Sequence, residues 1–167
     1  DGNSIFSAGA DKVIRRTVLA TGTPQATLTG ADGEIQDLAL TADGKQLVAA
    51  VASGKVHRWD LATATGNNAL PAAITFVADD KSVVRVAINM DGTRILTVNG
   101  VGLLRMWDGT SGLQLQQLSG HTGRVPAVFL SDDATSILSA GQDKTVRAWK
   151  PAVERVIRLS EKSPSGL

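Results

Sequence analysis

Three residues toward the end of the chain, His121, Ser139 and Asp143, are of the types that together run a hydrolysis. A hydroxyl activated by an imidazole, itself oriented by a carboxylate, is the arrangement that attacks a carbonyl carbon. Such a site also needs an accessible hydroxyl and donors that hold the oxyanion. The places these three occupy in a repeating unit, set out below, argue against that reading. His57 stands two residues before Trp59, where matching segments carry Arg15, Arg105 and Arg147. A basic residue repeated there reads as a packed stem with its head in solvent. Gly100 and Gly102 in VNGVGLLRMW have no Gly-Lys-Ser/Thr and no following helix, so they read as a turn and not a phosphate loop. Asp79-Asp80 and Asp132-Asp133 pair carboxylates without the alternating spacing of a calcium loop. Two histidines and no cysteine make a zinc site improbable, so no metal and no cofactor is expected.

The elements that position these groups repeat. Residues 28–50, LTGADGEIQDLALTADGKQLVAA, align without a gap with residues 118–140, LSGHTGRVPAVFLSDDATSILSA. From Ala31 to Trp59 is 28 residues, from His121 to Trp149 is 28, and a third copy runs 28 residues from Asp79 to Trp107. Apolar spacing inside each copy is that of strands. The first strand carries Ile35, Leu38 and Leu40, or Val83, Val86 and Ile88, or Val125, Val128 and Leu130. Asp43-Gly44, Asp91-Gly92 and the weaker Asp133-Ala134 then mark hairpins, since glycine accepts positive φ without steric cost. The second strand holds Leu47-Val48, Ile95-Leu96 or Ile137-Leu138, and the third ends in VHRWD, LRMWD or VRAWK. The fourth is clearest at 113–118. SIFSAGADKVIRRT (4–17) matches SILSAGQDKTVRAW (136–149), with Thr17 in place of tryptophan, so the chain opens after a first strand that is missing. Six extra residues fall in TATGNNALPAAI (63–74), a loop in which Gly66, Asn67, Asn68 and Pro71 disfavour a helix.

Composition narrows the partners. A net charge of +1, with no run of like sign, gives no bulk attraction for a polyanion. Three Phe, three Trp and no Tyr leave little for stacking bases, so no nucleic-acid partner is expected. No apolar run reaches the ~18–20 residues that span a bilayer, so no membrane partner is expected either. The absence of cysteine removes disulfides and thiolate chemistry together. The first residue is Asp1 rather than Met, which suggests that the natural chain extends further upstream.

Repeats of this length, with four short strands and a His…Trp pairing, resemble the WD40-repeat β-propeller family, most closely over 118–150. The resemblance implies an all-β, WD40-like propeller of about 3.75 four-stranded blades, a partial ring or part of a larger one. Its units would be a partial blade at 1–28, blades at 29–76, 77–118 and 119–160, and a disordered or junctional tail at 161–167. It also implies that His121, Ser139, Asp143 and Trp149 form a buried structural tetrad, because desolvated polar groups must pair. The second copy offers Ala31, Ala49, Ser53 and Trp59, and the third Asp79, Thr97, Val101 and Trp107. Those two are therefore expected to rely on apolar packing.

The family's partner-binding rim maps onto Glu34, Gln36, Ser82, Arg124, Pro126 and Gln142, with Ala10, Ala52, Val84 and Gly100 beside them. The implied function is a non-catalytic protein–protein interaction scaffold that binds peptides or protein loops. The alternative is a regulatory or substrate-gating propeller segment of a larger enzyme. Stacked blades also need covered faces, so the remainder of a propeller or a second copy of the chain is expected to complete the ring.

Overall fold

The computed structural model describes residues 2–63 and 69–151, which form strands in four sheets and no α-helix. The first sheet holds β1 (Ser4–Ser7), β2 (Ile14–Val18) and β3 (Pro24–Thr29). The second is built from β4 (Ile35–Leu40), β5 (Gln46–Val51) and β6 (Lys55–Asp60). A 3-10 turn at Leu61–Thr63 leads to β7 (Ala69–Pro71) and then to β8 (Ile74–Val77), which closes the second sheet antiparallel to β6. In the third sheet β9 (Val83–Ile88), β10 (Arg94–Asn99), β11 (Leu104–Asp108) and β12 (Gln114–Leu118) follow one another as a meander. The fourth has β13 (Ala127–Leu130), β14 (Ile137–Ala140) and β15 (Val146–Trp149).

The first hairpin of each full unit is locked by the same device. The Asp43 carboxylate accepts from the Thr41 hydroxyl at 2.7 Å and from the Lys45 N–H at 3.0 Å. Asp91 accepts in the same way from Thr93 N–H at 2.9 Å, and Asp133 from Thr135 N–H at 3.0 Å. An aspartate that bonds its own turn substitutes for backbone pairing and tolerates left-handed neighbours. Ala134, at φ 56°, takes the left-handed conformation that Gly44 and Gly92 take in the other copies.

Packing between sheets makes the core. One apolar cluster joins the first two sheets through Ile14, Leu28, Leu47 and Trp59. A second joins the next pair through Val48, Val56, Val86, Ile95 and Trp107, with Phe76 5.0 Å from the Trp107 ring. A third holds Leu96, Leu104, Met106, Leu130 and Ile137, with Trp149 against it. Full burial of one such aliphatic side chain contributes roughly 1.5–3 kcal/mol. The far face of the fourth sheet has no neighbour among the described residues, and Phe129, Leu138 and Val146 are 56%, 46% and 76% exposed there. Four sheets set face to face, with no apolar cluster joining the first to the fourth among the described residues, make an open arc of propeller blades and not a closed ring.

Two features differ from the sequence expectation. The fourth sheet's strand begins at Ala127 instead of near Val125, because Pro126 has no N–H to give a ladder. Val125 is nevertheless buried at 1% exposure. The 63–74 segment is not simply a loop: β7 runs parallel to β3, pairing Thr27 with Ala69 and Thr29 with Pro71. Pro71 is tolerated because this is an outer edge. The fourth strand expected for the last unit, and the tail at 161–167, lie outside the described residues.

Candidate functional site

In the fourth sheet the four residues singled out from the sequence form one hydrogen-bonded chain. The Trp149 indole N–H donates to Ser139 Oγ at 2.8 Å, and Ser139 Oγ lies 2.7 Å from His121 Nε2. His121 Nδ1 lies 2.8 Å from Asp143 Oδ2. Asp143 also accepts from the Thr145 hydroxyl at 2.7 Å and from the N–H groups of Thr122 and Thr145 at 3.1 Å each. The Thr145 hydroxyl, and after it His121 and the two backbone donors, outweigh desolvation and hold the Asp143 carboxyl well below its ordinary range. An ionised Asp143 accepts a hydrogen bond from Nδ1–H, leaving Nε2 to accept from the Ser139 hydroxyl. Gly141 permits the approach, since a Cβ there would sit 2.4 Å from His121 Nδ1. Chemically this is the relay of a hydrolase. Ser139, however, is 2% exposed and its oxygen already accepts from an indole, so the hydroxyl is poorly placed to attack a substrate carbonyl.

The middle sheets are not held by apolar packing alone, contrary to the sequence expectation. In the third, Trp107 N–H donates to Thr97 Oγ1 at 2.8 Å, both groups buried. Asp79 stands in the histidine's place and accepts from Asn99 Nδ2 at 2.9 Å, from Lys81 N–H at 3.0 Å and from Arg105. Burial opposes ionisation of Asp79, but Arg105 and Asn99 overcome it and hold the carboxyl at about 2. In the second sheet the Trp59 N–H reaches the Thr29 carbonyl of the first at 3.0 Å. His57 does not extend to solvent as expected. It is 2% exposed, with Nδ1 2.9 Å from Thr75 Oγ1 and Nε2 3.2 Å from Asp32 Oδ1. Asp32 in turn binds the Lys55 ammonium at 2.6 Å and the Ser53 hydroxyl at 2.9 Å. His57 is short enough to stay under this cluster, whereas at matching positions Arg15 is exposed and Arg105 turns onto Asp79 and the Ala78 carbonyl.

The rim residues converge in part. Gln36, Arg124, Pro126 and Gln142 line one cleft together with Val84, Arg85 and Val125. Glu34 and Ser82 are not in its lining. Glu34 is exposed and its carbonyl accepts from Ala52 N–H at 2.8 Å, matched in the fourth sheet by Gln142 N–H to the Arg124 carbonyl at 2.8 Å. Local backbone irregularity turns the lining outward. Ile35 faces Val51 and Asp37 faces Ala50, so Gln36 is the extra residue of a bulge. Val84 is likewise extra between Val83, facing Asn99, and Arg85, facing Val98. Bulges re-aim side chains beside sites, and Pro126 breaks the third strand at the same position. Arg85 is the residue that sequence reasoning missed. Its Nε donates to the Pro126 carbonyl at 2.7 Å and its NH1 to the Val84 carbonyl at 2.7 Å. Pro126 inside an otherwise apolar strand was the signal that pointed there.

Comparison with known proteins agrees with this architecture. A family model described as "WD domain, G-beta repeat" matches residues 22–60 and 112–150. Autophagy-related protein 16 of Arabidopsis thaliana is 25% identical over 84% of this chain and 35% of its own length. An uncharacterized WD repeat-containing protein of Synechocystis is 30% identical over 87% of the chain and 40% of its own length. Protein groucho of Drosophila melanogaster is 27% identical over 71% of the chain and 16% of its own length. The chain thus spans well under half of each of these relatives. Repeat register, sheet order and family match agree, and the chain belongs to the WD40-repeat family.

Proposed function

We propose that this chain is a non-catalytic interaction scaffold whose propeller rim docks peptides or protein loops. The observation that carries the reading is the cleft where the innermost strands of three neighbouring blades meet, lined by Gln36, Arg124, Pro126 and Gln142. Its lining is adaptable: carboxamides, guanidinium and short apolar groups suit varied polar contacts better than one small molecule. Membership of the WD40-repeat family supports an interaction role in general. In this reading the His121–Ser139–Asp143–Trp149 relay is a structural tetrad that fixes the blade beneath the rim. The units at 1–28, 29–76, 77–118 and 119–160 act as successive blades, and the rest of a propeller or a second copy covers the bare face. The test replaces Glu34, Arg124 and Gln142 together by Ala in the complete protein and measures capture of its partners. Capture should fall about ten-fold or more, as loss of an interface centre does. Undiminished capture rejects the rim assignment.

A further inference from the structure

The cleft has a sign. Its polar lining consists of two guanidiniums, Arg85 and Arg124, and two carboxamides, Gln36 and Gln142, with no carboxylate. Among the described residues neither arginine takes part in an ion pair. Asp37 is the one carboxylate within β4, β9 and β13, and it accepts from the Val86 N–H at 3.0 Å. Glu34, the rim's own carboxylate, lies outside the lining. Arg85 is already immobilised: carbonyls of its own strand and of the neighbouring blade hold Nε and NH1, which leaves its other amino group to meet a ligand. Arg124 is exposed and makes no hydrogen bond through its side chain within the described chain. A fixed guanidinium beside a free one loses less freedom on closing around an anion than two mobile ones would.

Size limits what enters. The cleft encloses about 190 Å³, below the ~300–1,000 Å³ of sites that bury a whole small ligand. It suits one charged head group and the start of its stem.

Resting on the rim reading above, we infer that this cleft is an anionic-side-chain pocket. It takes a carboxylate or a phosphorylated side chain of the docked partner segment, held between Arg85 and Arg124 and flanked by the amides of Gln36 and Gln142. Both anions offer planar or tripodal oxygens to paired N–H donors, which is what guanidinium geometry matches.

Three capped peptides of one length serve as probes: Ala-Glu-Ala, Ala-phosphoserine-Ala and the neutral Ala-Gln-Ala. Each is titrated into the isotope-labelled protein while the arginine Nε–H resonances and the Gln142 backbone amide are followed by NMR. The expected result is saturable movement of the Arg85, Arg124 and Gln142 signals with one or both charged peptides and none with the neutral one. Arg124→Gln should weaken that binding about ten-fold, the scale of one charge-assisted hydrogen bond. The relative affinities of the two charged peptides tell which anion the pocket prefers. Equal response to the neutral peptide, or equal movement of arginines remote from the cleft, overturns the proposal. Partner capture separates it from the rim reading. If the rim triple variant loses its partners while charged peptides leave the cleft signals unmoved, the rim stands and the anionic pocket falls. If charged peptides saturate the cleft while capture survives the triple variant, the reverse holds.

Discussion

Thr97→Val isolates the hydrogen bond that anchors Trp107. Thr97 is 2% exposed and Trp107 5%, and the indole N–H has the Thr97 hydroxyl as its acceptor at 2.8 Å. Valine keeps the branched shape, so no cavity opens; what changes is that a buried N–H loses its partner. An orphaned buried donor costs about 1–3 kcal/mol, and the methyl that replaces the hydroxyl returns about 0.8 kcal/mol through burial. The net loss is therefore about 0.2–2 kcal/mol. A chain of this size moves its melting midpoint by about 2–4 °C per kcal/mol, so Thr97→Val should melt lower by up to roughly 8 °C. Circular dichroism during heating or urea titration reads this directly. The decisive arm repeats the change in a Trp107→Phe background, where no indole N–H remains to be orphaned. There Thr97→Val should be neutral or slightly stabilising, a coupling of about 1–3 kcal/mol between the two sites. An equal cost in both backgrounds would refute the assignment and return the third blade to apolar packing alone.

Gly102 sits at φ 87°, and a Cβ there would stand 2.0 Å from the Gly123 carbonyl oxygen of the next blade; Gly102→Ala should therefore cost about 2 kcal/mol or more, combining backbone strain with a clash that backbone cannot relieve. By contrast, Gly44→Ala meets nothing within 4 Å and should cost only the strain of its φ, about 1 kcal/mol, so the two melting curves should separate clearly. Asp79 has a folded-state carboxyl at about 2, below its ordinary 3.8; the stability it contributes is complete above pH about 4 and is lost as pH falls through about 2. Melting followed from pH 5 to pH 2 should show that loss, and Asp79→Asn should start lower at neutral pH and flatten the profile.

The strands and first hairpins were legible because each rests on local signals: alternating apolar residues, and an aspartate that closes its own turn. Of the polar network, the fourth blade could be read since its residue types match the family pattern one for one. The third could not. Its Asp79 replaces a histidine with opposite chemistry, and the compensating groups, Asn99 and Arg105, lie 20 and 26 residues away on other strands. Long-range exchange of this kind leaves no local trace. His57 was misplaced because matching arginines suggested a solvent-facing head, whereas Asp32 and Thr75 come to it from other parts of the blade. Arg85 escaped notice because register, and not residue type, carries it to the cleft: one extra residue at Val84 sets where it lies.

The short parallel pairing of β7 with β3 has a mechanical meaning. The polypeptide leaves the second blade, laces itself to the outer margin of the first, and returns to finish the blade it came from. Force that pries these two blades apart must therefore unzip Thr27–Thr29 from Ala69–Pro71 as well as open the greasy seam between them. Among the described residues no strand pairing spans the joint between the second and third blades, where side chains and single bonds such as Asp37 to the Val86 N–H do the holding. The arc is thus stiff at its beginning and yields first farther along.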